Sequence, residues 1–384
     1  MGLQSAEENE WRDGWEKFKS TLPHQQEPYS KRSWGNNLHS LCSFPGKLKP
    51  AVAHHLVKIF VPANGSMLDP FAGVGTIPFE GALQGRESFG LDLSPHAFIV
   101  TKAKLRLTSV TKTTDVINSL DAYINSNTPS EEAYHEVCEF GLNGNIEEYY
   151  HEGTLEEILL AREYFLSQPL DELSPSELLV MASLLHILHG NRPYALSRRS
   201  HPITPYAPSG DFEYRELIPR VQDKVERSLK VDAPFQFKQG DAFRVDSTKW
   251  WPLEIDELDA IITSPPFYDS TRFYSQNWLR LWFAGWEPKD FEFKPTEFID
   301  KRQKESFEVY EPLIRQCRER LKENGVLVFH LGKSDQCNMA EEIRSVAEPW
   351  FENSDVLDES VVHLEKHGVE DKGSTTNHLY LVLY

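Results

Sequence analysis

The fold of this chain is decided by the stretch Leu68-Asp69-Pro70-Phe71-Ala72-Gly73-Val74-Gly75-Thr76. An apolar helix-like run follows from Ile77 to Leu83, and a short strand at residues 88–91 then ends in the acid Asp92. The order strand, glycine turn, helix and strand predicts an α/β fold with a parallel sheet. Gly73 and Gly75 allow backbone angles that other residues avoid, and they let a ligand lie directly on the backbone.

The glycine turn differs from the common nucleotide-binding loops. No third glycine follows at the dinucleotide spacing, and no Gly-Lys-Ser/Thr follows as in a phosphate loop. Asp69 would repel a phosphate but suits a ligand with an ammonium group, and Asp92 can accept hydrogen bonds from ribose hydroxyls. S-adenosylmethionine carries an ammonium, a sulfonium and a ribose. A plain turn at a helix start remains the alternative.

A second stretch narrows the interpretation. Residues 258–267 read Leu-Asp-Ala-Ile-Ile-Thr-Ser-Pro-Pro-Phe, a buried strand that stops at Ser264-Pro265-Pro266-Phe267. Together with the glycine turn, this motif closely resembles the two signatures of the amino-methyltransferases that act on DNA bases. The Ser-Pro-Pro form resembles the N4-cytosine branch, while sister branches methylate adenine N6, guanine N2 in RNA, or glutamine in proteins.

The resemblance implies a fold and a domain plan. It covers about residues 40–107 and 235–384, and it implies a Rossmann-like class I methyltransferase sheet, mostly parallel with an antiparallel last strand. We expect a polar leader at residues 1–30 and a catalytic domain at 31–107 and 233–384. The mainly helical insertion at 108–232 is the candidate target-recognition domain.

The resemblance also implies which residues bind the cofactor. A segment with Phe44, Pro45 and Lys47 precedes a helix at residues 51–60, as a similar segment does in those enzymes, although Pro50 at a helix start is a structural alternative. The acid of the third strand is expected at Asp241, beside the adenine, unless it is only a cap. The full expected set is Phe44, Pro45, Lys47, Asp69, Pro70, Phe71, Gly73, Gly75, Thr76, Asp92, Asp241 and Ala242.

The resemblance implies that the second motif serves methyl transfer to an exocyclic amine of a DNA base, with cytosine N4 expected first and adenine N6 next, and with guanine N2 of RNA as the alternative. Such an amine is a poor nucleophile because its lone pair is delocalised into the ring, so a site helps by accepting hydrogen bonds from the NH₂ group. Ser264 Oγ and the Pro265 carbonyl are the candidate acceptors, and the two prolines fix the backbone that presents them. Phe267 is expected to stack on a base that has been flipped out. A rigid strand-to-loop turn is the alternative.

Helix signals lie on both sides of the expected insertion boundary. Ser94 is expected to cap a helix whose Lys102, Lys104 and Arg106 face solvent. Thr154 to Glu157 and Ser174 to Glu177 both match the capping-box pattern that opens a helix.

The segment after the second of these helices combines arginines with tyrosines and has no acids. Arginine suits phosphates and base edges, and aromatic faces suit stacking, although a connector paired with the acidic helices is equally compatible. A polar-aromatic loop follows Phe267 and could also touch substrate. The candidate substrate-binding residues are Arg192, Tyr194, Arg198, Arg199, His201, Tyr268 and Arg272.

Charge is the main objection to a nucleic-acid substrate. The formal net charge is −19, and residues 115–177 contain fifteen acids against one base, Arg162. Phosphate contacts dominate nucleic-acid binding, so we expect positive charge concentrated in one cleft, a protein partner, or use of the fold as a non-catalytic scaffold. Four scattered cysteines support neither a zinc site nor disulfides. Without a signal peptide or membrane-length apolar run, the chain is expected in the cytoplasm.

Overall fold

Seven strands form the sheet of this protein in the order β3-β2-β1-β4-β5-β7-β6. The computed structural model describes residues 4–31, 34–188, 190, 192–199, 207–231, 233–269, 273–361 and 374–384, with only the backbone described for 4–10. The strands are β1 Ser66–Asp69, β2 Glu87–Asp92, β3 Asp241–Arg244, β4 Leu258–Thr263, β5 Leu321–Ser334, β6 Ser354–Ser360 and β7 Thr375–Leu383. The pairs among β1 to β5 are parallel, and β7 runs antiparallel to both β5 and β6. The predicted Rossmann-like sheet with an antiparallel last strand is confirmed.

Fifteen α-helices surround the sheet in the described part of the chain. They are α1 Gln4–Thr21, α2 Pro50–Phe60, α3 Thr76–Leu83, α4 Pro95–Leu105, α5 Val110–Ser126, α6 Glu131–Glu139, α7 Glu152–Leu166, α8 Pro175–Ile187, α9 Leu217–Ser228, α10 Phe273–Gln276, α11 Trp278–Phe283, α12 Asp290–Phe293, α13 Ile299–Arg302, α14 Glu311–Arg320 and α15 Met339–Ala347. Short 3₁₀ turns occupy Pro23–Gln25, Asn37–Ser40, Ile146–Tyr149, Lys294–Glu297 and Phe307–Tyr310. None of the described helices is both long and apolar enough to cross a membrane.

The central strands are apolar on both faces, since successive side chains of a strand point to opposite sides. On one face Met67 and Ile262 pack with α1 and α2. On the other face Leu68 and Ile261 share a core with residues of α14 and α15. This burial on both sides explains why these strands read as continuous apolar runs rather than alternating ones.

The first helix belongs to the packed body of the protein. The sequence predicts a polar leader at residues 1–30, whereas α1 runs over eighteen residues of it and buries Trp15 and Phe18 in the sheet-facing core. Trp15 Nε1 and Lys19 Nζ both donate to Asp355 Oδ2 on β6, at 2.8 and 2.6 Å. The apolar burial and this polar contact together fix α1 against the strands.

The helices between β2 and β3 continue the core of the sheet layer. Helix α8 packs along α4, and a single hydrophobic cluster includes residues from α4, α5, α7, α8, α9 and α11. This packing overturns the prediction for Lys104, which is fully buried and donates to the Val74 carbonyl at 2.5 Å. Lys102 and Arg106 instead reach the carboxylate of Asp241. The packing around α4 thus buries Lys104 completely, whereas the Arg106 side chain stays 40% exposed.

The two predicted capping boxes have different outcomes. Ser174 and Glu177 form the reciprocal pair at the start of α8, as predicted. The box at Thr154 is wrong, because α7 already begins at Glu152. Thr154 Oγ1 accepts from Arg215 N at 2.8 Å, and Glu157 Oε2 accepts from Leu217 N at 2.6 Å. These two side chains therefore join α7 to the start of α9, a contact that a local sequence window does not contain.

Candidate active site

The carboxyl ends of β1, β2 and β4, and the segment after β3, meet around one cavity of about 190 Å³. This is the edge of an open α/β sheet at which ligands bind. Its walls come from the segment before α2, the glycine turn, the tip of β2, the Ser-Pro-Pro-Phe turn and the helices that follow it. The cavity is thus built from two parts of the sequence separated by the helical segment.

The glycine turn is shaped by its own close contacts. Gly73 and Gly75 have φ values of +52° and +70°, a region that glycine adopts without strain. Thr101 Oγ1 on α4 donates to the Gly73 carbonyl at 2.9 Å. A Cβ atom at Gly75 would lie 2.8 Å from the Thr101 side chain, and one at Gly73 would touch the ring of Phe44 at 3.5 Å. Gly75 therefore permits helix packing, while Gly73 faces the cavity.

Asp92 holds this turn in place. Its Oδ2 accepts from Gly73 N at 2.9 Å, and its Oδ1 accepts from Ser94 N at 2.8 Å. Burial raises the pKa of the Asp92 carboxyl to about 6, although the two backbone hydrogen bonds oppose that rise. Each carboxylate oxygen has a further acceptor direction, so Asp92 can bind the turn and still accept from hydroxyls in the cavity.

Asp69 is the most deeply buried acid of the cavity. Its Oδ1 accepts from Thr263 Oγ1 at 2.6 Å and from Phe71 N at 3.0 Å, so it links β1 to β4. Burial raises its pKa to about 7, against the effect of these two hydrogen bonds. An acid with this pKa is poised to ionise when a cation binds next to it.

Side chains from β5, from the residue after α13 and from the 3₁₀ turn at Phe307–Tyr310 hold the Ser-Pro-Pro-Phe turn in place. Ser264 Oγ lies 2.9 Å from His330 Nδ1 on β5. Gln303 Nε2 donates to the Pro266 carbonyl at 3.1 Å, and Tyr310 Oη in turn donates to Gln303 Oε1 at 2.7 Å. Among the described residues, no donor reaches the Pro265 carbonyl. That carbonyl and Ser264 Oγ are the acceptors that the turn offers.

The structure places the predicted residues in three groups. All four of the catalytic set, Ser264, Pro265, Pro266 and Phe267, line the cavity, as do eight of the cofactor set: Phe44, Lys47, Asp69, Pro70, Phe71, Gly73, Thr76 and Asp92. The described residues that do not line it are Pro45, Gly75, Asp241, Ala242, Arg192, Tyr194, Arg198, Arg199 and Tyr268. His201 and Arg272 lie outside the described residues.

The prediction that Asp241 ends the third strand is wrong. β3 begins at Asp241, so this acid is at the edge of the sheet opposite to the cavity, where it pairs with Lys102 and Arg106. The acid after the strand is Asp246, which lines the cavity. Its Oδ1 accepts from Thr248 N and Oγ1, a local turn pattern that could have identified it in the sequence.

One arginine and one tyrosine of the predicted substrate segment, Arg198 and Tyr194, have structural partners. Arg198 donates to the Gly210 and Glu148 carbonyls and lies over the ring of Phe212. Tyr194 stacks on His186, whose Nδ1 accepts from Ser43 N, next to the cavity wall at Phe44. Arg192 and Arg199 are exposed. The described part of this segment is therefore anchored close to the cavity, and none of its described residues lines the cavity.

Two buried polar atoms of the cavity wall lack a hydrogen-bond partner in the described structure. They are Thr76 Oγ1, at the uncapped start of α3, and Asp246 Oδ2, which has only longer ionic contacts at 3.3 Å to Lys249 and 3.7 Å to Arg302. Buried polar groups are normally satisfied. Atoms left open in this way fit a ligand with hydroxyl, carboxylate and amine groups, which S-adenosylmethionine has. No three His, Cys, Asp or Glu side chains of the described residues converge as metal ligands.

Comparison with known proteins identifies the class of domain. Residues 40–123 match the family model described as UPF0020: RMKL-like, methyltransferase domain. None of the curated proteins matches the sequence. With the fold and the cavity, the domain match makes this chain an S-adenosylmethionine-dependent methyltransferase, with S-adenosylmethionine as its cofactor.

Solved structures with a related arrangement are distant. A TehB-like SAM-dependent methyltransferase from Corynebacterium glutamicum is 9% identical, with 99% of this chain and 98% of that chain covered and a TM-score of 0.32. TrmN from Thermus thermophilus is 12% identical over 88% of this chain and 49% of its own, with a TM-score of 0.30. The rRNA methyltransferase aviRa from Streptomyces viridochromogenes is 13% identical over 93% of both chains, with a TM-score of 0.35. Scores this low say nothing about what the chain methylates.

Proposed function

We propose that this enzyme methylates an exocyclic amine of a nucleic-acid base, with an unpaired base in RNA as the first substrate and DNA cytosine N4 or adenine N6 next. The observation that carries the proposal is the position of Ser264-Pro265-Pro266-Phe267 on the wall of the same cavity as Asp69 and Asp92. Acceptors for an amine thus face the residues suited to the cofactor.

The cofactor would be held by residues that already line the cavity. Asp92 would accept from the ribose hydroxyls, Asp246 Oδ2 from the adenine amine, and Asp69 would face the ammonium group. Thr76 Oγ1 and the start of α3 suit the carboxylate. When bound, S-adenosylmethionine supplies an electrophilic methyl group.

The chain's own contribution to the reaction is to orient the target amine. Ser264 Oγ and the Pro265 carbonyl would accept its two N–H groups, which favours a tetrahedral nitrogen with its lone pair directed at the methyl group. Gln303 Nε2 already donates to the Pro266 carbonyl, so the Pro265 carbonyl is the proline carbonyl left to accept from the amine. Alignment of this kind can account for most of the acceleration, and the proton can leave after transfer without a strong base.

The charge of the cavity favours an unpaired base over a base in a long duplex. Five acids but only two bases, Lys47 and Arg302, are among its described lining residues, and Lys47 Nζ already donates to the His39 carbonyl. A base in a loop is exposed at lower cost than one that must be flipped out of a duplex, and it needs fewer phosphate contacts. The exposed Arg192 and Arg199, with Tyr268, would contact the strand outside the cavity.

The test is transfer of labelled methyl from S-adenosylmethionine to bulk tRNA, ribosomal RNA, single-stranded DNA and duplex DNA, followed by nucleoside mass spectrometry. Ser264→Ala should abolish transfer and retain cofactor binding by calorimetry, whereas the surface control Ser126→Ala should match the wild type. Label in an RNA amine supports the proposal, and label in a DNA amine keeps the chemistry but changes the polymer. Cofactor binding without transfer to any of these would overturn it in favour of a partner-dependent enzyme or a scaffold.

A further inference from the structure

Behind the Ser-Pro-Pro-Phe turn, a line of hydrogen bonds runs from Ser264 into the sheet. Ser264 Oγ lies 2.9 Å from His330 Nδ1, and His330 Nε2 lies 2.7 Å from His378 Nδ1. The two histidines are on neighbouring antiparallel strands, β5 and β7, where His330 pairs with Tyr380 and His378 with Gly332. Both ring nitrogens of His330 are therefore used, one for the serine and one for the second histidine.

Burial decides the charge of this pair. It lowers the pKa of His330 well below its ordinary value, with a smaller contribution from the neighbouring His378, and burial also lowers the pKa of His378. Neutral imidazole has one N–H and one lone pair, on different nitrogens. The line of hydrogen bonds can then point in only two ways. Either Ser264 donates to His330 and His330 to His378, or His378 donates to His330 and His330 to Ser264.

The two directions give Ser264 opposite roles. If the serine donates to His330, its lone pairs face the cavity and can accept from an amine. If it receives the N–H of His330, its own O–H is free to point into the cavity, where it would meet the N–H of a target amine as a second donor. Only the first direction suits the chemistry that the cavity presents.

A charge at the far end of the line favours the first direction. Glu359 on β6 pairs across the strands with His378. Burial opposes its ionisation, but hydrogen bonds from His24, Gln25 and Tyr380 lower the pKa of Glu359 to about 2, so it is ionised. Protons that point from Ser264 toward His378 put the positive end of the hydrogen-bond dipoles near this carboxylate.

We propose that His330 and His378 are positioning residues, which hold the hydroxyl proton of Ser264 away from the cavity so that its lone pairs are presented to the target amine. The effect of these histidines on methyl transfer rests on the proposed function. The positions of the protons on Ser264, His330 and His378 are a property of the protein without substrate. His330 fixes the serine, and His378 fixes the tautomer of His330.

The arrangement is tested directly by long-range ¹H–¹⁵N NMR of the full chain with ¹⁵N-labelled histidine, with the two rings assigned from the spectra of His330→Asn and His378→Asn. We expect both rings to be neutral with the proton on Nε2 and a free Nδ1. A proton on Nδ1 of His330 would overturn the inference, whatever the substrate proves to be.

The consequence is tested by steady-state methylation kinetics. His378→Leu removes the acceptor, so kcat should fall about tenfold while KM and cofactor affinity stay unchanged. His378→Asn keeps an acceptor near the Nδ1 position and should restore kcat to within about twofold of the wild type. His55→Leu, at a half-buried histidine on α2, is the matched control and should not change kcat.

These experiments separate the two claims. If His378→Asn is as impaired as His378→Leu, or if His378→Leu equals the wild type, the positioning role is wrong. If the wild type shows the expected tautomers but methylates no nucleic acid, the arrangement stands and the proposed function fails.

Discussion

Gly332 and Phe267 are packed so closely that a Cβ atom at Gly332 would lie 2.5 Å from Cδ2 of Phe267. Real Cβ atoms do not come this close to another atom, so the Phe267 ring can take its position only because residue 332 is a glycine. The same ring also contacts His330 and His378, with centroid distances of 5.4 and 5.7 Å. The position of Phe267, for which we propose stacking on the base, thus depends on a glycine on β5.

Gly332→Ala is therefore expected to displace Phe267 and to lower kcat about tenfold or more, since small misplacements of a reacting group are costly. Cofactor affinity should stay unchanged in calorimetry, because Gly332 does not line the cavity. Gly14→Ala on α1 is the control, since its new methyl group would make only ordinary contact with Ile59 at 3.5 Å. Wild-type kcat in Gly332→Ala would show that the ring has no role.

Cofactor binding should depend on pH through Asp69. Burial raises its pKa to about 7, so below that pH the carboxyl is neutral and attracts the cofactor's ammonium group less. Lowering the pH from about 7 to about 6 should therefore weaken binding by up to about fivefold in calorimetry. Asp69→Asn should bind weakly at both values and lose this dependence.

Raising the pH through the pKa of Asp69 should strengthen cofactor binding but lower the stability of the folded protein. A raised pKa in the folded protein means that Asp69 binds its proton more tightly when folded than when unfolded. Its contribution to stability is full below the unfolded pKa and is lost as the pH rises through the folded value of about 7. Thermal unfolding of the cofactor-free protein should reveal this loss between about pH 4 and pH 7, and Asp69→Asn should reduce it. An unchanged slope in that variant would contradict the burial argument.

Asp246, and not Asp241, is expected to bind the cofactor. Asp246→Asn removes an unpartnered buried acceptor from the cavity wall, so cofactor affinity should fall about tenfold, the value of one good hydrogen bond to a charged group. Asp241→Asn should leave affinity unchanged and alter the unfolding free energy by no more than about 1 kcal/mol, as is usual for partly exposed ion pairs. Equal losses of affinity in the two variants would refute the assignment.

Nucleic-acid affinity should depend on the two exposed arginines of the predicted substrate segment, Arg192 and Arg199. Replacing Arg192 and Arg199 together by Ala should raise KM for the polymer and reduce the slope of log affinity against log salt by about two. The matched double variant Arg315→Ala/Arg344→Ala removes two exposed arginines from α14 and α15 and should do neither. An unchanged salt slope in the Arg192/Arg199 variant would remove this segment from the substrate surface.

Much of the sheet edge that lines the cavity could be predicted, because the residues that mark it lie close together in the sequence. Gly75 is followed directly by α3, and Ser264 comes directly after the apolar strand β4. In both places, residue types with few structural uses occur at a fixed spacing. The alternation of strands with helices along the chain then predicts a parallel sheet.

Other features depend on partners that are remote in the sequence. Lys104 was expected on a solvent face, but it is buried and donates to the Val74 carbonyl, 30 residues earlier in the chain. Thr154 has the spacing of a helix cap, but its partner is Arg215. His330 and His378 meet only through the register of β5 and β7. No local pattern of residues contains these contacts, so only the three-dimensional arrangement reveals them.

The pairing of β1 with β4 has a consequence for biosynthesis. Met67 is aligned with Ala260, and Asp69 is bonded to Thr263, a separation of 194 residues. Such pairing gives the central strands a high contact order, which slows folding because a long loop must close before the contact forms. A nascent chain in which the helical segment has just emerged from the ribosome already holds β2 but still lacks β4, the second neighbour of β1. The cavity that Asp69 and Ser264 share is therefore complete only after the Ser-Pro-Pro-Phe turn has been translated.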